Sequence, residues 1–275
     1  ENNIMRTANM NLVDIGINLT GKSFNKDKEQ VVRDAVDAGV SKLVITGTTE
    51  LNSEQALELA IENPAVLFST AGVHPHHASD ITDQTMQRLA DLANHKQVVS
   101  IGECGLDFNR NLSPKGQQLR VFELQLELAV ECQLPVFLHQ RDAHVDFMSI
   151  LTRYRSDLAG GVVHCFTGTK EELHAYLELD MHIGITGWIC DERRGLALQK
   201  MVGDIPLHRL MIETDAPYLL PRSLRPKPKS NRNEPKYLPH ICETVATCMG
   251  HTPDEIASAT SETAHKLFDL TSTPV

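Results

Sequence analysis

Apolar runs of strand length alternate with segments of helical period from one end of the chain to the other. The strand candidates are NLVDIGIN (11–18), KLVITGT (42–48), VLFSTAGVH (66–74), VVSIGECG (98–105), PVFLHQ (135–140), GVVHCFTG (161–168), HIGITGW (182–188) and LMIETDA (210–216). Between them, segments such as KEQVVRDAVDAG, SEQALELAIEN and QQLRVFELQLELAVECQ carry apolar residues three and four apart, the period of a helix with one buried face. Near-continuous apolar strands separated by helices predict a parallel sheet covered on its faces. Eight such units in roughly 260 residues predict a (β/α)8 TIM barrel in preference to an open doubly wound sheet of five or six strands. Helices after residue 236 are extra and should pack outside the barrel. One domain over residues 10–270 is expected, preceded by an extension or leader over residues 1–9.

Composition narrows the class. With 41% hydrophobic and 23% charged residues, the chain is an ordinary globular protein. No apolar run approaches the ~18 residues of a membrane span, so a cytoplasmic protein is expected. Its six cysteines form no C-x-x-C pair and read as reduced thiols. A formal charge of −10 argues against polyanion binding by the whole surface, so a nucleic acid would have to be met by a local basic patch.

The stretch SIGECGLDF (100–108) raises the chemical question, because a buried run ends in Glu103, Cys104 and Asp107. Other strands end alike: His139 on the fifth, His164 on the sixth, Asp215 on the eighth. A (β/α)8 barrel gathers its chemistry at these C-terminal strand ends. Strand parity aims His139 with Phe137, His164 with Val162 and Asp215 with Glu213. Buried acids and imidazoles must be paired, protonated or metal-bound, and one metal site satisfies all four. Mixed nitrogen and oxygen donors suit Mg²⁺, Mn²⁺, Zn²⁺ or Fe²⁺. Cys104 and Cys165 adjoin these residues and read as small buried groups. In GVHPHH, His74 stands at a strand tip to orient water or touch substrate, with His76 and His77 beginning the loop.

The series GVHPH, IGECGLDF, PVFLHQRDA, HCFTG, IGITGW and IETDAPYL, in this order over most of residues 10–270, resembles the TatD family of metal-dependent deoxyribonucleases. The resemblance implies an amidohydrolase-type barrel, one or two divalent ions, and phosphodiester hydrolysis with 3′→5′ exonuclease action on DNA, single-stranded ends preferred. Carried over by motif, the metal ligands are Glu103, His139, His164 and Asp215, with Asp215 and Glu103 catalytic and His74 beside them. One departure stands out: where most of the family has His-x-His on the first strand, this chain has Gly16-Ile17-Asn18. Two imidazoles are lost there, which favours a weakly held, oxygen-rich site occupied by Mg²⁺ over Mn²⁺ or Zn²⁺. Asn18 and Glu213 are expected to support the ligands from behind.

The connection after the eighth strand carries Arg222, Arg225, Lys227, Lys229, Arg232 and Lys236 against one acid, Glu234. Arg110, Arg141, Arg193 and Arg194 follow other strand ends. With His76 they are expected to form a rim that binds phosphate, since guanidinium groups match phosphate oxygens in pairs. Trp188 and Tyr218 are candidates for stacking on an unpaired base. DNA is the expected partner, with RNA as a further substrate and no membrane, and a monomer is the expected state. A small-molecule amidohydrolase, a deacylase of aminoacyl-tRNA and a noncatalytic scaffold are the competing classes.

Overall fold

The computed structural model describes residues 10–271. The extension expected over 1–9 lies outside the described residues. The eight strands are β1 (Leu12–Ile17), β2 (Val40–Ile45), β3 (Leu67–Ala71), β4 (Val98–Asp107), β5 (Val136–Arg141), β6 (Gly161–Val163), β7 (His182–Ile185) and β8 (Leu210–Ile212). Each overlaps its apolar run in the sequence. They form one sheet in chain order, parallel where β3–β4, β4–β5, β5–β6 and β7–β8 pair. β1 also meets β8: Ile17 bridges Ala216 in parallel, and Asn18 N–H donates to Ala216 O at 2.8 Å. A parallel sheet in chain order whose last strand returns to its first is the expected (β/α)8 barrel.

The barrel helices are α1 (Lys28–Asp37), α2 (Glu50–Glu62), α3 (Thr85–Ala93), α4 (Lys115–Cys132), α5 (His144–Tyr154), α6 (Lys170–Glu178) and α7 (Leu196–Met201). The extra helices are α8 (Leu238–Met249) and α9 (Pro253–Phe268). Their ends follow local rules. Thr49 caps α2 by accepting from Asn52 N–H at 3.0 Å, and Gly250 ends α8 in the left-handed conformation. α4 is the longest because its apolar period is unbroken, burying Val121, Phe122, Leu126 and Ala129. Phe122 stacks on Phe147 of α5 at 5.2 Å between ring centroids.

The described residues fall into two compact units, one holding residues up to Val44, Cys165–Lys170 and Ile183–Lys266, the other Ile45–His164, Glu171–His182 and residues from Leu267 onward. The first has its core in Leu12, Ile15, Ile183, Ile185, Leu210 and Ile212, all fully buried. The second has its core in Phe68, Ile101, Phe137, Leu138 and Phe147. No helix among the described residues is long and apolar enough to cross a membrane.

Two buried glutamines of α4, seven residues apart and so on one face, fix the strand ends beside them. Gln125 accepts from Val73 N–H at 2.7 Å and donates to Val73 O at 3.0 Å. Gln118 accepts from Asp107 N–H at 2.9 Å and donates to Asp107 O at 3.1 Å. One helix thus sets the backbone just before His74 and at the end of β4.

Candidate active site

β4 presents Glu103 through a local irregularity. The register against β5 shifts between Gly102 and Cys104, and both Gly102 and Gly105 have φ near +146° or +145°. A Cβ at Gly105 would stand 1.9 Å from His139 O, so only glycine lets β4 run this close to β5. Glu103 is thereby pressed beside His139.

Three imidazoles surround one carboxylate oxygen. Glu103 Oε1 lies 2.7 Å from His164 Nε2, 3.0 Å from His139 Nδ1 and 3.4 Å from His74 Nε2. Donor atoms of His74, Glu103 and His139 all lie within 4.8 Å of one another, so the three could hold a metal ion together. Borderline nitrogens and a hard oxygen are a donor set that divalent ions accept, and the residues fit such an ion. Burial alone would raise the Glu103 carboxyl, but His164 and His74, and hydrogen bonds from His139 and His164, hold it well below the usual range. Burial brings the pKa of His74 down to about 4, so its imidazole is neutral at physiological pH.

Asp107 completes the cluster. Its Oδ2 lies 3.0 Å from His139 Nε2 and 3.1 Å from His76 Nε2, while its Oδ1 accepts from Asn109 N–H and Arg110 N–H at 3.1 and 3.0 Å. Burial is outweighed by these bonds, led by that from His139, and the carboxyl titrates far below its ordinary value. His139 resists the effect of its own burial through the bonds to Asp107 and Glu103, which push its pKa up. The apolar run of the sequence ends at residue 105, short of Asp107, whereas β4 extends to Asp107. The sequence signal was its spacing of four from Glu103.

Asp215 follows the end of β8 with φ at 53°, so strand parity with Glu213 does not describe it. Asn18 Nδ2 donates to its Oδ1 at 3.1 Å, and its N–H donates to Gly16 O at 2.9 Å. Buried Asp14 accepts from Thr214 N–H at 3.0 Å and from the Thr214 hydroxyl at 2.5 Å, which pins the turn that carries Asp215. Burial raises the Asp14 carboxyl to about 7 in spite of these bonds. Glu213 is fully buried and accepts from Cys165 N–H at 3.0 Å. Cys104 is fully buried and burial raises its thiol, as its reading as a small core group requires.

Residues 13–269 match the family described as TatD related DNase. The chain belongs to that family. Among its relatives, the "3'-5' ssDNA/RNA exonuclease TatD" of Erwinia billingiae is 54% identical over 259 residues, covering 94% of this chain and 99% of that protein. Among solved structures, the TatD homologue YjjV of Escherichia coli superposes with a TM-score of 0.85 at 27% identity, over 94% of this chain and 98% of that one. A TatD family hydrolase from Entamoeba histolytica gives 0.87 at 26%, over 96% and 99%.

The cationic residues of this TatD-family chain divide into two sets. Arg232 is held internally: its guanidinium donates to both Asp27 oxygens at 2.9 and 2.7 Å and to Glu234 at 3.0 Å, over the Phe24 ring. Lys236 pairs with Glu234 at 2.9 Å and Asp34 at 3.3 Å. These two anchor the connection after β8, and the Arg232 guanidinium, expected from sequence to bind phosphate, is engaged by Asp27 and Glu234. Arg222 pairs with Glu192 at 3.1 Å, and Arg194 pairs with Asp191 at 2.9 Å while covering the Trp188 ring at 4.3 Å. Arg110, Arg141, Arg193, Arg225, Lys227 and Lys229 are exposed, and Tyr218 keeps 61% of its surface in solvent. His76 is half-buried against Asp107, and His77 pairs with Asp80.

Proposed function

We propose that the protein is a divalent-metal-dependent 3′→5′ exonuclease that shortens single-stranded DNA and RNA from their ends. It is a hydrolase of phosphodiester bonds in a nuclease family. The observation that carries the reading is the gathering of His74, His139 and His164 around Glu103 Oε1. Neither an ordinary core nor a scaffold needs three imidazoles on one buried carboxylate. The exonuclease name of the Erwinia billingiae relative favours this reading over the small-molecule amidohydrolase and deacylase ones.

Glu103, His139 and His164 would hold the ion, with His74 beside them and Asp215 as a further ligand or as the base. Bound there, a divalent cation supplies positive charge to the scissile phosphate and acidifies a water molecule. The nitrogen-rich cluster favours Mn²⁺ or Zn²⁺ more than the expectation of Mg²⁺ from the first strand allows. Glu103 stays ionised because the imidazoles compensate its burial. His74, neutral, accepts from His76 N–H through Nδ1 at 3.0 Å, so its one ring proton sits on Nε2, 3.4 Å from Glu103 Oε1, where it can orient water or substrate beside the ion. Asp215 accepts the proton of the attacking water, and Asn18 keeps its carboxylate turned. Arg110, Arg141, Arg193, Arg194, Arg222, Arg225, Lys227 and Lys229 bind the phosphates of the strand, and Tyr218 offers a face to its bases. All six cysteines are free, which suits a cytoplasmic setting, and an enzyme that shortens strand ends would serve DNA repair or degradation.

The deciding experiment is a time course on 5′- and 3′-labelled single-stranded DNA and RNA with Mg²⁺, Mn²⁺, Zn²⁺ or EDTA. A ladder that recedes from the 3′ end and vanishes with EDTA is expected. Internal cleavage, or turnover insensitive to chelation, overturns the proposal.

A further inference from the structure

His139 touches a carboxylate with each ring nitrogen, Nδ1 on Glu103 and Nε2 on Asp107, both at 3.0 Å. The two contacts are not equivalent. Glu103 Oε1 is the oxygen that His74 and His164 also reach, so Nδ1 faces the place where an ion would sit. Asp107 stands on the opposite edge of the ring. Its Oδ1 is engaged by Asn109 N–H and Arg110 N–H, and Gln118 clamps its backbone on both sides. A carboxylate so fixed offers His139 only lone pairs, and an imidazole nitrogen facing it must carry a hydrogen.

We propose that Asp107 is a positioning residue that holds His139 as the Nε2–H tautomer, leaving the Nδ1 lone pair for the metal beside Glu103. The assignment rests on the metal-dependent reading above. Asp107 acts through His139 and touches neither ion nor phosphate. His76, whose Nε2 lies 3.1 Å from Asp107 Oδ2, braces the same oxygen. The arrangement has the form of a carboxylate–histidine–metal triad, in which the carboxylate fixes the ring and raises its basicity as a ligand.

The test needs no substrate, so its failure is distinguishable from failure of the nuclease reading. In protein labelled with ¹⁵N-histidine and loaded with Zn²⁺, long-range ¹H–¹⁵N correlation should give His139 a protonated Nε2 and a metal-shifted Nδ1. An unprotonated or metal-shifted Nε2 in the wild-type protein overturns the assignment without any variant. In Asp107→Ala, Zn²⁺ affinity by calorimetry should fall roughly ten- to a hundredfold, and the single-tautomer pattern should be lost. Asp107→Asn keeps an oxygen able to accept from Nε2–H and should restore most of the affinity and the pattern. If the alanine variant misfolds because the Asn109–Arg110 turn loses its cap, the asparagine variant and the wild-type spectrum still decide. Wild-type Zn²⁺ affinity in a folded Asp107→Ala protein would overturn the role.

Discussion

Asn18 Nδ2 donates to Asp215 Oδ1 at 3.1 Å, so a neutral side chain just past β1 holds the carboxylate that follows β8. The same amide reaches Ala216 O at 3.3 Å. Where most of the family is read to place imidazole, this chain has a donor that orients an acid. Asn18→Ala should lower kcat roughly ten- to a hundredfold, as loss of a supporting hydrogen bond typically does, with little change in Tm. Unchanged kcat on a single-stranded oligonucleotide would remove Asn18 from the machinery.

Asp215 has φ at 53°, a region that asparagine tolerates better than alanine. Asp215→Asn therefore separates chemistry from backbone strain. If Asp215 is the general base, the variant should fold normally, keep Zn²⁺ binding within a few-fold, and lose roughly 10²- to 10⁴-fold in kcat. Loss of metal binding in a folded variant would make Asp215 a ligand instead.

His139 and His164 compensate a carboxylate that is only 7% exposed in its side chain. Alanine at either should abolish hydrolysis, and also destabilise the metal-free protein by about 1–3 kcal/mol, because a buried acceptor loses a partner. Denaturant unfolding in EDTA measures this directly. Activity near that of the wild type in either folded variant would refute the proposed site, while an unchanged midpoint would mean that water replaces the lost imidazole.

The positions of these histidines were legible because each strand is an apolar run with its chemistry at one end. The eight runs sufficed for the barrel. What they did not disclose follows from contacts distant in sequence. Arg232 looked like one more cation in a basic loop because its partner, Asp27, lies 205 residues away. Asp107 sat inside the stretch that first raised the question, yet the apolar run stops at Gly105 while β4 continues to Asp107. Gln118 and Gln125 carry no chemical signature, and only the path of α4 shows which backbone groups they hold.

The loop after β8 yields a paired test. Replacing Arg225, Lys227 and Lys229 with glutamine should weaken single-strand binding across all sequences and lower the log–log salt slope by up to about 2, at roughly 0.7 per lost phosphate contact. Arg232→Gln should leave the slope alone and reduce stability by about 1–2 kcal/mol, because its bonds are to Asp27 and Glu234. Binding isotherms at several salt concentrations and thermal melts distinguish them. A slope that responds to Arg232 and not to the other three would reverse the division.

Trp188 is the chain's one tryptophan, and Arg194 covers its ring at 4.3 Å while pairing with Asp191 at 2.9 Å. Burial alone would raise the Asp191 carboxyl, but the N–H groups of Arg193 and Arg194, with the Arg194 guanidinium, bring it from 3.8 to about 2. A carboxyl depressed by folding stabilises the native state while ionised. That contribution is complete above pH ~4 and disappears as pH falls through about 2. Trp188 fluorescence should therefore be constant from pH 7 to about 4 and change below it, as Asp191 protonates and releases Arg194 from the ring. Asp191→Asn keeps an oxygen for the two N–H groups and loses the charge. It should show the low-pH fluorescence already at pH 7 and a Tm below that of the wild type, with the gap closing between pH 4 and 2. A transition centred near pH 4 or above in the wild-type protein would mean that the N–H groups and Arg194 do not hold the carboxylate as the geometry requires.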